Sequence, residues 1–156
     1  MINPRCGLLI ALLIAVQIVA VGAEAFEKCI KPIEVEADQV RYIETQLRVA
    51  ALQCKDHKHA DLPLLYNAFI LENRPYLVRT QKPLTSFLKR SGQPSVDTYI
   101  TSVANRISIA SSKVSQFCRR VKLAAELSAK TADPVKLLGL MPVEYQRPAA
   151  YCRKRD

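Results

Sequence analysis

The residues best suited to chemistry lie in one short stretch, from Cys54 to Asp61, which holds the chain's only two histidines, His57 and His59. Imidazole and carboxylate groups bind zinc, copper or nickel when a loop folds back on itself. Lys55 and Lys58 disfavour a bound cation, and a solvated turn between helices is the alternative. We keep His57 and His59 as candidate metal ligands, and a small metal-binding protein as the alternative function.

Nucleophilic catalysis would need a serine, a histidine and an acid held together. Serine and threonine hydroxyls concentrate instead between Thr98 and Ser115, far in sequence from the histidines. After residue 25 the only glycines are Gly92 and Gly139, whereas oxyanion loops and phosphate cradles depend on glycine. We therefore predict no catalytic residue, no cofactor and a non-enzymatic protein. An enzyme with an unrecognised site is the third hypothesis.

Residues 1–25 have the three parts of a secretory signal peptide. Arg5 precedes an apolar run from Leu8 to Gly22, and small residues at Ala23 and Ala25 suit a signal peptidase. We predict cleavage after Ala25 and a periplasmic or secreted protein; an uncleaved anchor helix is the alternative. No later run is long and apolar enough to span a membrane.

Four cysteines follow the predicted cleavage site: Cys29, Cys54, Cys118 and Cys152. An even number in an exported chain indicates an oxidising compartment and a disulfide framework. No two of them are spaced as CxxC, which disfavours a zinc ribbon or a thioredoxin-like redox centre. A free or metal-bound thiol is the alternative.

The elements that would position these residues have helical periodicity. Between Pro32 and Cys54 apolar residues recur every three or four positions, which predicts one helix. A second helical segment is expected to begin with Asp61 as its N-cap and to end at residue 90. Pro75 and Pro83 each predict a kink or a break in it, because proline removes a helical hydrogen bond.

The third segment, from Ser95 to Lys130, has the most regular pattern. Its apolar residues between positions 96 and 124 alternate steps of four and three, as in a heptad seam. At about 1.5 Å per residue such a helix would be about 50 Å long. The seam predicts either the core helix of a bundle or a homo-oligomeric coiled coil. A short helix is expected from Asp133 to Leu140.

Three long helices joined by short loops, the second kinked by proline, predict an all-α, up-down-up helical bundle with a short C-terminal helix. The first and third helices would run parallel, which brings Cys54 and Cys118 to the same end. Cys54–Cys118 and Cys29–Cys152 are therefore the favoured pairs, although four cysteines allow three connectivities. The disulfides would brace the bundle.

Positive charge is concentrated toward the C-terminus. Residues 113–156 contain ten bases and four acids, whereas residues 26–112 contain twelve and nine. We assign residues 26–141 to the bundle domain and residues 142–156 to a basic tail held by Cys152 alone. The candidate basic surface combines Lys113, Arg119, Arg120 and Lys122 of the long helix with Arg147, Arg153, Lys154 and Arg155 of the tail.

An exported basic surface meets anionic lipid, lipopolysaccharide or acidic partner proteins before it meets nucleic acid. No aromatic residues are interleaved with the bases in a way that supports stacking on nucleobases, so we predict no nucleic-acid binding. The leading hypothesis is a binding or structural protein of the cell envelope that presents its basic face to such an anionic component or partner. The alternative is that a high pI only maintains solubility.

Several short motifs occur together in the first two thirds of the chain. They are Leu47-Arg48 followed by Cys54, Tyr66-Asn67-Ala68-Phe69, Arg74-Pro75, Asp97-Thr98-Tyr99, Ala104-Asn105 and Phe117-Cys118. Together they resemble a group of small exported helical proteins of alphaproteobacteria that have no assigned activity. The resemblance covers about residues 29–120. It implies a Gram-negative periplasm and a helical bundle, and it supplies no active site.

Overall fold

The computed structural model describes residues 29–93 and 95–152. These residues form five α-helices and one 3₁₀-helix, so the all-α class is confirmed: α1 Pro32–Gln53, α2 Leu62–Glu72, α3 Arg74–Arg90, α4 Val96–Ser111, α5 Phe117–Ser128 and the 3₁₀-helix Pro134–Leu140. Within the described ranges, no helix has the length and apolar character needed to cross a membrane. The predicted signal peptide, residues 1–25, lies outside these ranges.

Helix α1 is the centre of the fold and packs against every other helix. Its start is fixed by Pro32 in the first turn and by the Glu34 carboxylate, which accepts a hydrogen bond from the Lys31 N–H at 2.9 Å. Fully buried side chains such as Ile43 and Leu47 lie along it. A helix that is buried on nearly all sides acts as the core of a small domain. The single helix predicted for this segment is confirmed.

The second predicted segment divides into α2 and α3 at Asn73. The Asn73 side-chain amide donates to the Phe69 carbonyl at 3.0 Å, which ends α2 with a local hydrogen bond. Pro75 lies in the first turn of α3, where its missing N–H costs nothing. The break expected at Pro75 therefore occurs two residues earlier. Pro83 lies inside α3 and does not end it.

The third predicted segment is not one helix, and this prediction was wrong. Helix α4 begins as expected, with Ser95 accepting a hydrogen bond from the Thr98 N–H, but it ends at Ser111. The Ser111 and Ser112 hydroxyls donate to carbonyls three residues earlier and so compete with the helical pattern. Gln116 then adopts a left-handed conformation with φ 56° before α5 begins.

The heptad seam continues through this break because both helices face the same core. Val103 and Ile107 of α4 and Phe117 and Val121 of α5 are all buried in one apolar cluster with α1. The chain thus buries these seam positions itself. The expected arrangement of three long helices is replaced by five shorter ones, and no continuous helix from 96 to 124 exists to form a coiled coil with a second copy.

The two disulfides lie at opposite ends of α1. Cys29 is paired with Cys152 and Cys54 with Cys118, at Cα–Cα distances of 4.8 and 5.8 Å. Both favoured pairings are therefore present. At about 1.5 Å per residue, α1 separates the two disulfides by roughly 35 Å. Each disulfide joins α1 to a later part of the chain.

Residues 141–152 run along α1 in the opposite direction to it and are held by more than Cys152. The Gln46 side chain donates to the Val143 carbonyl and accepts from the Val143 N–H, at 2.7 and 3.1 Å. Farther along, Tyr151 forms a parallel bridge with Ile30. This segment, which we call the C-terminal strap, therefore covers α1 from its middle to its N-terminal end.

Candidate functional site

An open cleft lies at the C-terminal end of α1, beside the Cys54–Cys118 disulfide, with a volume of about 520 Å³. Four parts of the chain form its walls: the end of α1, the loop before α2, the end of α4 and the start of α5. Its lining includes Cys54, His59, Ser108, Phe117, Cys118 and Arg119. The cleft thus combines an apolar floor with hydroxyl, imidazole and guanidinium groups.

The break between α4 and α5 forms one wall of the cleft. Cys54–Cys118 fixes the first turn of α5 to the end of α1, while α4 ends at Ser111. The chain must turn between these points, and Gln116 makes the turn in the left-handed region, where side chains crowd the backbone. The position of the cleft therefore follows from the disulfide and the serine-rich end of α4.

The polar groups of the cleft already have partners. The Gln53 amide donates to the Ser108 hydroxyl and accepts from the Ser111 hydroxyl, which joins the last turn of α1 to α4. His59 Nδ1 lies 2.8 Å from Asp56 Oδ1, and this hydrogen bond holds the pKa of Asp56 below its usual value. These contacts organise the cleft. They do not join His59 to a serine hydroxyl within the described ranges.

The two predicted metal ligands, His57 and His59, have different surroundings. His59 lines the cleft, whereas His57 is exposed on the preceding loop. Cys54 and Cys118, which also line the cleft, form a disulfide with each other and so offer no thiolate ligand. In the part of the chain that the structure describes, no three His, Cys, Asp or Glu side chains are grouped in a way that could hold a metal ion. We therefore do not carry the metal-binding alternative further.

Three of the predicted basic residues are exposed: Lys113 in the segment between α4 and α5, and Arg119 and Arg120 in the first turn of α5. We call these three residues the α5 basic surface. Within residues 29–93 and 95–152, none of them forms an ion pair. No acid lies in the first turn of α5. Arg119 borders the cleft, whereas Arg120 lines a second pocket that also includes Glu144.

Lys122 differs from the bases of the α5 basic surface, because its ammonium group is paired with acids. It donates a hydrogen bond to the Asp61 carboxylate and lies 3.6 Å from Glu126. The hydrogen bond from Lys122 holds the pKa of Asp61 below its usual value, and in return raises the pKa of Lys122. Asp61 is thus an anchor between α2 and α5. It does not use its side chain to cap α2.

The predicted bases of the tail do not join the α5 basic surface in the described ranges. Arg147 donates to the Ala149 carbonyl at 2.7 Å, and its guanidinium lies 4.0 Å from the centre of the Tyr151 ring. Because Tyr151 pairs with Ile30, Arg147 belongs to the opposite end of α1. Arg153, Lys154 and Arg155 lie outside the described residues.

A feature that sequence reasoning missed is the set of buried acids on α1. Glu34, Asp38 and Glu44 are at most 3% exposed. Both oxygens of Glu34 accept hydrogen bonds from Arg90 at 2.8 Å. Burial alone would raise the pKa of Glu34, but the hydrogen bonds from Arg90 and from the backbone bring it below its usual value.

The buried carboxylates of Asp38 and Glu44 accept hydrogen bonds from tyrosine hydroxyls. The hydroxyls of Tyr99 and Tyr145 donate to the two oxygens of Asp38 at 2.6 and 2.7 Å, and Tyr66 donates to Glu44 at 2.9 Å. Burial raises the pKa of Asp38 despite these hydrogen bonds. Burial and the nearby Asp38 charge also raise the pKa of both tyrosines. Buried polar groups with complete partners fix a unique packing of the helices.

No family model, curated protein or solved structure matches this chain. The case for function therefore depends on the geometry of the molecule. Two features of that geometry are distinctive: the buried acids, each with its partners, and the α5 basic surface beside the open cleft.

Proposed function

We propose that the protein is an exported, non-enzymatic helical protein that binds an anionic component of the cell envelope, lipid or lipopolysaccharide, through the α5 basic surface. The observation that carries this proposal is the state of Lys113, Arg119 and Arg120, which are exposed and form no ion pair within the described ranges. Solvated, unpaired cations attract an anionic surface at about 1 kcal/mol each.

The rest of the molecule supports this proposal. Arg48 and Arg90 are used in ion pairs with buried acids, whereas Lys113, Arg119 and Arg120, like the exposed bases Lys82 and Lys89, remain available to an anion. Two disulfides fit an oxidising compartment. Under this proposal the mature protein begins at Phe26, and intact mass measured without reductant would show that N-terminus with two cystines.

The binding test compares two triple variants of equal charge. Lys113→Gln/Arg119→Gln/Arg120→Gln removes the α5 basic surface, and Lys82→Gln/Lys89→Gln/Lys136→Gln removes three exposed bases elsewhere. Sedimentation with vesicles of equimolar phosphatidylglycerol and phosphatidylcholine, and retention on immobilised lipopolysaccharide, measure binding. We expect the first variant to bind about a hundredfold more weakly and the second to stay close to wild type.

Salt provides the second readout. Between about 0.1 M and 1 M salt the Debye length falls from about 10 to 3 Å, so electrostatic retention should weaken strongly. Equal losses in the two triple variants would mean that net charge, and not the α5 basic surface, governs binding. Absence of binding to both vesicles and lipopolysaccharide at low salt would overturn the proposal.

A further inference from the structure

The outer face of α2 is apolar and open to solvent. Leu64 and Leu71 are 71% and 70% exposed, although leucine is normally buried in a domain of this size. They lie seven residues apart and so on the same side of the helix, opposite the buried Leu62 and Phe69. No charged residue occurs between Leu62 and Leu71.

Helix α5 lies beside α2 and has an exposed leucine of its own. Lys122 in the middle of α5 contacts Asp61 before α2, and residues 128–132, from the end of α5 onward, share a shallow pocket with Glu72 and Asn73 at the end of α2. The two helices therefore run in the same direction. Leu123 of α5 is 52% exposed and lies one turn after Arg119, on the side of α5 away from the core.

Both charges flank the apolar face, with bases in excess of the exposed acids Glu72 and Glu126. Lys55 and Lys58 are exposed before α2 and Arg74 is exposed after it, while Arg119 and Lys130 are exposed on α5. Apolar side chains flanked by an excess of bases are typical of helices that lie in the plane of a membrane interface. The bases match anionic headgroups, and the leucines match the acyl chains beneath them.

We propose that the α2–α5 outer face, defined by Leu64, Leu71 and Leu123, inserts into the surface of an anionic lipid bilayer. This inference rests on the proposed function and selects lipid as the anionic component. The α5 basic surface brings the protein to the bilayer, and the three leucines then enter the boundary between headgroups and acyl chains. Binding should therefore retain a part that salt does not remove.

The absence of tryptophan from the chain allows a direct test of insertion. Leu64→Trp introduces a single fluorescent reporter on the proposed face, and Ile109→Trp introduces one at a matched position on α4, where Ile109 is 65% exposed. Vesicles of equimolar phosphatidylglycerol and phosphatidylcholine are added, with and without brominated acyl chains. We expect a blue shift and bromine quenching for Leu64→Trp, and neither for Ile109→Trp.

A second pair of variants measures how much the leucines contribute. Leu64→Gln/Leu71→Gln removes two apolar side chains without changing the net charge, and Ile109→Gln is the control. The double variant should bind vesicles about tenfold more weakly, with the difference largest at high salt, while the control stays unchanged. Far-UV circular dichroism of each variant confirms that α2 is retained.

The outcomes separate this inference from the proposed function. If the α5 basic surface is needed for binding but the tryptophan at position 64 stays in water, the inference fails and the proposed function stands. If neither vesicles nor lipopolysaccharide bind, both fail. If the Leu64→Trp emission shifts with protein concentration in the absence of lipid, the face joins two copies of the chain and the lipid inference is overturned.

Discussion

The two ends of α1 each carry a disulfide, and they differ in what surrounds it. At the N-terminal end, Cys29–Cys152 lies beside the Ile30–Tyr151 bridge and the Glu34–Arg90 ion pair. At the C-terminal end, Cys54–Cys118 borders an open cleft and cations that have no acidic partner within the described ranges. Paired and buried charge holds helices in place, whereas exposed and unpaired charge is available to a ligand. We therefore expect changes at the first end to affect stability and, under the proposed function, changes at the second end to affect binding.

Removing a disulfide should have the largest effect on stability. Chain-entropy arguments give about 5 kcal/mol for Cys29–Cys152, which spans 123 residues, and about 4 kcal/mol for Cys54–Cys118, which spans 64. We therefore expect Cys29→Ala/Cys152→Ala to unfold at lower urea than Cys54→Ala/Cys118→Ala. The C-terminal strap should also become accessible to protease in the first variant only.

Wild type unfolded in reductant provides the control, because all variants should then converge. If loss of Cys54–Cys118 were the more costly change, the N-terminal end would not be the stabilising one. The comparison between the two ends would then have to be reversed.

Local periodicity predicted α1, and the even number of cysteines predicted disulfides. Both favoured pairs are present, although the bundle of three long helices from which the pairing was argued is not. The sequence did not predict the break between α4 and α5. The apolar steps of three and four continue through residues 111–117, so periodicity alone cannot distinguish one helix from two helices that face one core. The serine hydroxyls at 111 and 112 were the only local signal of an end, and such hydroxyls also occur inside helices.

The buried acids could not be predicted either, because their partners are distant in sequence. Glu34 and Arg90 are 56 residues apart, and Asp38 and Tyr145 are 107 apart. Acids at the start of a helix are expected on electrostatic grounds alone, so their presence at the start of α1 indicated nothing unusual. Only tertiary packing shows that these carboxylates point inward.

Arginine substitutions compare the charges of the two ends directly. Arg90→Met leaves the buried Glu34 carboxylate without its main partner and should cost about 3 kcal/mol. Arg119→Met removes an exposed cation with no ion-pair partner in the described ranges and should change stability by less than about 0.5 kcal/mol. Urea unfolding at neutral pH measures both. If Arg90→Met and Arg119→Met changed the free energy of unfolding equally, the paired charge of Arg90 and the exposed charge of Arg119 would not differ in their contribution to stability.

The Arg90–Glu34 pair also predicts a pH dependence. The pKa of Glu34 is lower in the folded protein than in the unfolded chain. Its contribution to the free energy of unfolding is therefore fully present above the usual pKa range of glutamate, and it is lost as pH falls through the folded-state pKa. The stability difference between wild type and Arg90→Met should therefore shrink below about pH 4. Arg119→Met serves as the control and should follow wild type at every pH. A difference that stays constant into strong acid would contradict the pairing.

Tyrosine substitutions test how the strap is fastened to the N-terminal half of α1. Tyr145→Phe removes a hydrogen bond to the buried Asp38 carboxylate and should cost about 2 kcal/mol. Tyr151→Phe is the matched control, because Tyr151 is 52% exposed and its ring contact with Arg147 is retained by phenylalanine. Thermal unfolding compares the two. A loss in Tyr151→Phe as large as that in Tyr145→Phe would mean that the contact with Asp38 is not what makes the Tyr145 hydroxyl important.

The smallest expected effect has the opposite sign and lies at the open end. Gln116 holds φ 56° between α4 and α5, where glycine is favoured because it has no side chain to crowd the backbone. Gln116→Gly should therefore stabilise the protein by about 0.5–1 kcal/mol. Ser102→Gly, at an exposed position inside α4, should destabilise it by about 0.5 kcal/mol. If Gln116→Gly and Ser102→Gly destabilised the protein by similar amounts, residue 116 would not be held in the left-handed region. The turn that shapes the cleft would then need another explanation.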